Sequence, residues 1–136
     1  MKEYLLDANV LIRFLVQDDP KQSAAATALF AKAERREIVL HLDPLVIAET
    51  IYVLIGRYDR TRAEVVSVLL ALIQNAAITT QDEDTVVDAL HRFASHNVDF
   101  SDAWLAARSV QTRHPIASFD RDFDKFKDIK RFEPIS

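Results

Sequence analysis

The chain has 136 residues, 49% of them hydrophobic and 28% charged, with a mean hydropathy of −0.03, and this composition predicts one globular domain over residues 1–136. The absence of cysteine excludes disulfides and thiolate metal sites, and the single glycine, Gly56, excludes glycine-rich phosphate loops. The net charge of −4 excludes nucleic-acid binding through bulk basicity, so any such contact must be local.

The first half of the chain alternates short apolar runs with helical patterns. An apolar run that stops at Asp7 predicts a strand, and apolar residues at helical spacing then predict a helix up to Leu15. An aspartate followed by proline, at 19–20 and again at 43–44, is typical of a capped helix start. We therefore predict helices from 20 to 36 and from 45 to 55, with a strand at 38–42 between them.

The second half continues this alternation. Thr61 with Glu64, and Thr80 with Glu83, have the spacing of capping boxes that begin helices. The predicted helices cover 65–74, 86–94 and 102–113, and the predicted strands cover 76–79, 116–119 and 131–132. Short strands alternating with longer helices predict an α/β fold with a mainly parallel sheet and helices on both of its faces.

Two predicted helices, 45–55 and 65–70, are more apolar than a helix with one buried face needs to be. They either fill a crowded core or present a face to a second subunit or a partner helix. The apolar stretch at 4–16 is interrupted by polar residues, and no apolar run approaches the roughly 20 residues of a membrane span. We therefore expect a cytoplasmic protein without a membrane segment.

Glu49 is the acidic residue whose surroundings are most unusual. Its neighbours one helical turn away are largely apolar: Leu45, Val46, Tyr52 and Val53. A buried carboxylate there has to be protonated, paired with a base or bound to a cation. The alternative is that Glu49 lies at the exposed edge of its helix.

Other acids lie where a sheet and its helices meet. Asp7 and Asp120 each end a predicted strand, where open parallel sheets form ligand sites, and Asp99 and Asp102 lie one turn apart at a helix start. Each of them could instead only cap a helix. Together with Glu49 they suggest a pocket in which a cation makes close carboxylates tolerable, and oxygen ligands alone favour Mg²⁺ or Mn²⁺.

Four segments resemble the acidic motifs of the PIN domain: 7–13 (DANVLIR), 48–50 (AET), 99–103 (DFSDA) and 118–123 (SFDRDF). Their order and spacing, over nearly the whole chain, are similar to those of VapC toxins of toxin–antitoxin pairs. Ser118 stands where threonine is more usual and keeps the hydroxyl.

The resemblance implies a three-layer α/β/α sandwich around a mainly parallel sheet, with Mg²⁺ or Mn²⁺ in an acidic pocket and endoribonuclease activity. It implies an activated water as the nucleophile, with no nucleophilic side chain. By the resemblance the catalytic and metal-binding acids are Asp7, Glu49, Asp102 and Asp120, with Asp99 as a fifth ligand; Asn9 and Ser118 support them, and Asp122 and Asp124 lie outside this core.

Four cations near the motifs are candidates for contacts with RNA phosphates, although each could equally be a solvated surface charge: Arg13, Arg108, Arg121 and Lys125. The implied partners are RNA and a cognate antitoxin that masks the acidic groove, and the two strongly apolar helices predict a homodimer. The alternative is a non-catalytic PIN-like module that binds RNA or protein. A phosphoacceptor domain is disfavoured because segment 116–119 supplies no lysine.

Overall fold

Six α-helices and five strands alternate along residues 1–136, all of which the computed structural model describes. The helices are α1 (Ala8–Leu15), α2 (Pro20–Glu34), α3 (Pro44–Gly56), α4 (Arg62–Gln74), α5 (Glu83–Ser95) and α6 (Phe100–Thr112). The strands are β1 (Lys2–Leu5), β2 (Ile38–Leu42), β3 (Ile78–Thr80), β4 (Ile116–Ala117) and β5 (Arg131–Phe132). The chain divides into two units, Met1–Asp82 and Glu83–Ser136.

The first unit contains a three-stranded parallel sheet in the order β1-β2-β3. Tyr4 pairs with Leu40, and Leu40 pairs with Ile78 on the other side, so β2 is the central strand. Leu40 and Leu42 are fully buried, as expected for a strand covered on both faces. Because parallel strands end at the same edge, Asp7 and Asp43 both follow the carboxyl edge of this sheet.

The predicted helix starts of the first unit are confirmed. The Asp19 carboxylate accepts a hydrogen bond from the backbone N–H of Gln22 at 3.1 Å and begins α2. Asp43 accepts one from the backbone N–H of Leu45 at 2.8 Å and begins α3. The capping box before α4 is formed as well, with both of its side-chain bonds present. These bonds satisfy backbone donors that a helix start otherwise leaves without partners.

Helix α3 buries one face and exposes the other. Its buried residues recur at helical spacing and include Ile47, Ile51 and Leu54. Leu45 and Tyr52 lie on the opposite face, each 80% exposed. We expected a crowded core to surround α3 as one explanation of its apolar composition. That explanation is wrong for the exposed face. Helix α4, by contrast, buries most of its apolar residues.

The second unit is built on the packing of α5 against α6. Phe93 and Phe100 meet edge to face, with ring centroids 6.1 Å apart. The strands β4 and β5 pair in parallel, with Ile116 opposite Arg131. A short 3-10 helix that the sequence did not predict, Arg121–Lys125, follows β4.

The α/β class and the parallel pairing of strands are confirmed, in agreement with a PIN-like fold. The second predicted capping box is wrong, because Thr80 is the last residue of β3, its buried hydroxyl has no hydrogen-bond partner, and α5 begins only at Glu83. The strand predicted at 116–119 ends at Ala117, because Ser118 already belongs to the turn that begins the 3-10 helix. No helix combines the length and the apolar composition needed to cross a membrane.

Candidate metal centre

Three aspartates of the second unit bring their carboxylates together. Asp102 lies in the first turn of α6, while Asp120 and Asp122 lie at the start of the 3-10 helix after β4. One carboxylate oxygen from each lies within 4.8 Å of the others. Helix α6 packs against β4, which places the first turn of the helix beside the segment that leaves the strand. We call Asp102, Asp120 and Asp122 the acidic cluster.

Hydrogen bonds fix the backbone that carries two members of the acidic cluster. The Ser118 hydroxyl accepts a bond from the backbone N–H of Asp120 at 2.9 Å. The Asp120 Oδ1 in turn accepts one from the backbone N–H of Asp122 at 2.8 Å. Ser118 therefore shapes the turn, and Asp120 both caps the 3-10 helix and contributes a carboxylate to the cluster.

One member of the acidic cluster, Asp102, is harder to ionise than an ordinary aspartate. Burial raises the pKa of Asp102, and the negative charges of Asp120, Asp99 and Asp122 raise this pKa further. Lys125 compensates part of the charge, because its Nζ lies 3.2 Å from Asp122 Oδ1 while it also donates to the backbone carbonyl of Asn97. A divalent cation would relieve the remaining repulsion more completely than one exposed lysine.

Asp7 and Asp99 occupy helix N-cap positions without using their side chains as caps. Asp7 precedes α1 and Asp99 precedes α6, and neither carboxylate accepts a capping hydrogen bond. Asp19 and Asp43 do cap their helices in this way. The alternative that Asp7 and Asp99 serve as side-chain caps is therefore wrong, and both carboxylates are available for other contacts.

In the first unit, Asn9 and Glu49 line one cavity of about 150 Å³. Glu49 itself is exposed, which contradicts the expectation that apolar neighbours bury it. The reason is the orientation of α3, since Leu45 and Tyr52 share the outer face with Glu49.

The four predicted phosphate-binding cations differ in their surroundings. The Arg13 side chain is only 20% exposed and is engaged by Asp18 and Tyr58, at 3.1 and 3.2 Å. Arg108 donates to Gln111 within its own helix. Arg121 is an exposed residue of the 3-10 helix, and Lys125 is held as described above. Arg13 therefore stabilises the fold through these contacts and is also a candidate for RNA contact.

Three residues of these sites were not predicted from the sequence. Asp122, predicted to lie outside the core, belongs to the acidic cluster, and its spacing of two from Asp120 is the available signal once a tight turn is assumed. Arg57 and Tyr58 line the cavity with Glu49. Arg57 lies eight residues after Glu49, a little over two helical turns, so helical spacing could have indicated it.

The donor set of the acidic cluster fits a hard divalent cation. It offers carboxylate oxygens and neither histidine nor cysteine. Mg²⁺ and Mn²⁺ prefer such ligands, and Mg²⁺ keeps several waters while binding one or two carboxylates. The raised pKa of Asp102 also favours a cation at this site, because it indicates a place where added positive charge is stabilising.

A search among curated proteins found no match to the chain. A family model of the PIN domain, a domain typical of metal-dependent nucleases, matches residues 4–129. This range covers both units and omits only three residues at the start and seven at the end. The chain therefore belongs to the PIN domain family.

Proposed function

We propose that this protein is a metal-dependent endoribonuclease. The observation that carries the proposal is the acidic cluster, in which Asp102, Asp120 and Asp122 converge within 4.8 Å in a chain that matches the PIN domain along nearly its whole length. PIN nucleases in general bind RNA, and the site offers oxygen ligands alone. No nucleophilic side chain is required, because a bound Mg²⁺ or Mn²⁺ would polarise the scissile phosphate and activate a water.

The residues of the chain have distinct roles in this proposal. Asp102 and Asp120 hold the cation, and Ser118 keeps Asp120 in place through its backbone N–H. Asp7, Glu49 and Asp99 remain predicted as further ligands or as the group that accepts the proton from water. Asn9 is predicted to orient Asp7, from which it is separated by one residue.

The test is cleavage of a panel of RNAs in Mg²⁺ or Mn²⁺, with the product ends mapped. We expect cleavage that stops when a chelator is added, and that is lost in Asp102→Asn and in Asp7→Asn while both variants stay folded by circular dichroism. Asp84→Asn is the matched control, because it removes the same charge from an exposed helix start. Cleavage that survives chelation would contradict the mechanism, and RNA binding without cleavage would favour a non-catalytic module.

We also propose that the chain is the cytoplasmic toxin of a toxin–antitoxin pair. Support comes from its motif spacing and from the exposed acids, which an antitoxin arginine could pair with as bidentate partners. The prediction is that expression arrests growth, that Asp102→Asn abolishes the arrest, and that a protein encoded beside this chain reverses it. Growth unaffected by a chain that cleaves RNA in vitro would contradict the toxin role.

A homodimer is proposed from the outer face of α3. Leu45 and Tyr52 are each 80% exposed there, and large apolar side chains exposed on one helix face are typical of an interface. Light scattering should give twice the 15.5 kDa mass of one chain at micromolar concentration. The variant Leu45→Ser/Tyr52→Ser should give the mass of one chain, and a monomeric wild type would rule the dimer out.

A further inference from the structure

We propose that Arg57, on the rim of the cavity that holds Asn9 and Glu49, binds a backbone phosphate of the RNA substrate. This inference rests on the proposed ribonuclease function and adds a contact that the acidic motifs do not contain. Arg57 is the residue directly after α3, and it is exposed. It lines the same cavity of about 150 Å³ as Glu49.

The cavity has two arginines, and Arg13 already uses most of its donors within the protein. Arg13 donates from Nε to Gln22 at 2.8 Å and from Nη1 to Asp18 at 3.1 Å and to the Tyr58 hydroxyl at 3.2 Å. These partners raise the pKa of Arg13, the hydrogen bond to Tyr58 contributing most. A guanidinium with that many partners has few donors left for a ligand.

Arg57 is held differently. Its guanidinium carbon lies 5.8 Å from the centroid of the Tyr58 ring, and it forms no salt bridge. A cation–π contact with the ring of the neighbouring residue favours this position of the side chain while leaving the N–H donors free, and a planar guanidinium offers the paired donors that fit a phosphate. The charge of Arg57 is therefore pre-positioned and uncompensated.

The Arg13 contacts also position Tyr58. The Tyr58 hydroxyl donates to Asp18 Oδ2 at 2.8 Å while it accepts from Arg13. These bonds tie the segment after α3 to α1 and to the loop before α2. Arg13 thus acts as a positioning residue, and Tyr58 supplies the ring that forms the cation–π contact with Arg57.

The size and lining of the cavity favour an RNA phosphate. Its volume far exceeds the roughly 10–15 Å³ that one water needs. It offers an acid, Glu49, and an amide, Asn9, beside the arginine. If Glu49 is a further ligand of the divalent cation, as proposed above, the charge of the cation makes an anion beside this carboxylate tolerable.

The test measures binding of a fluorescein-labelled single-stranded RNA by anisotropy, in Ca²⁺ under conditions where gels show the RNA intact. We compare wild type, Arg57→Gln, Arg57→Lys and the control Arg36→Gln, an exposed arginine that does not line the cavity. Each phosphate contact to single-stranded RNA changes the slope of log K against log salt by about 0.7, so Arg57→Gln should flatten the slope by that amount. Its affinity should fall roughly tenfold, as for one lost charged hydrogen bond.

Arg57→Lys should retain the salt slope, because the charge remains, and Arg36→Gln should match the wild type. Equal slopes for Arg57→Gln and Arg36→Gln would overturn the phosphate contact while leaving the ribonuclease proposal intact if the wild type cleaves RNA. A wild type that neither binds nor cleaves RNA would overturn both proposals. If the salt slope flattens equally in Arg57→Gln and Arg36→Gln, the RNA responds to the overall charge of the protein and not to a specific site. That result would also overturn the inference.

Discussion

Neutralising Asp102 should stabilise the metal-free protein, which is the opposite of what most substitutions do. Two unit charges 4.8 Å apart repel by about 0.9 kcal/mol in water and about 3.5 kcal/mol at an effective dielectric constant of 20. Asp120 is exposed, so the lower figure applies more closely to its interaction with Asp102. The substitution Asp102→Asn removes the repulsion from both other members of the acidic cluster.

The expected gain is about 1–2 kcal/mol, which for a chain of this size corresponds to a rise in Tm of roughly 3–8 °C. The assay is a thermal unfolding scan in chelator and again in Mg²⁺ or Mn²⁺. Metal should raise the Tm of the wild type, because ligands that bind only the folded state stabilise it. The rise should be much smaller in Asp102→Asn.

Asp84→Asn controls for the loss of one negative charge from the whole chain. Asp84 lies in the first turn of α5, where an acid interacts favourably with the helix dipole, so this variant should lose a few tenths of a kcal/mol. The reasoning is refuted if Asp102→Asn lowers the Tm in chelator, or if metal stabilises it as much as the wild type.

Three further predictions concern pH and stability. The advantage of Asp102→Asn should be largest at neutral pH and should shrink as the pH falls through the raised pKa of Asp102, because protonation removes the same charge. It should vanish below the ordinary pKa that this carboxyl has in the unfolded chain, and urea melts across pH would show this. Arg92→Gln should lower the free energy of unfolding in urea by about 2 kcal/mol, because the Arg92 side chain is only 11% exposed and pairs with Asp128 through two bonds. The control Arg35→Gln removes an exposed ion pair and should lower it by less than about 0.5 kcal/mol. Thr61→Ala should lower the free energy of unfolding by about 1 kcal/mol through the lost capping box, and an unchanged urea midpoint would contradict the capping argument.

The local features of the fold could be predicted because they depend on neighbouring residues. The caps at Asp19 and Asp43 and the strand at 38–42 follow from short-range chemistry that the sequence displays directly. The failure at Thr80 has a tertiary cause. The spacing of a capping box is present, but β-pairing with β2 extends the strand through Thr80 and delays the helix to Glu83.

The site was predicted less completely because residue spacing alone does not determine which face of a helix is buried. Apolar neighbours on both sides of Glu49 left two orientations of α3 open, and packing of the opposite face selected the one that exposes this carboxylate. Asp122 enters the acidic cluster only because a 3-10 turn follows β4, and such a turn has no strong sequence signature. Arg13 carried the expected charge, but its partner Tyr58 is 45 residues away in sequence.

Direct titration with Mn²⁺, followed by electron paramagnetic resonance, tests the central claim that carboxylates of this chain hold a divalent cation. We expect binding by the wild type and by Asp84→Asn, strong weakening in Asp102→Asn and Asp120→Asn, and displacement of Mn²⁺ by Mg²⁺. Binding that is equal in all four proteins, or no binding by a folded wild type, would contradict it.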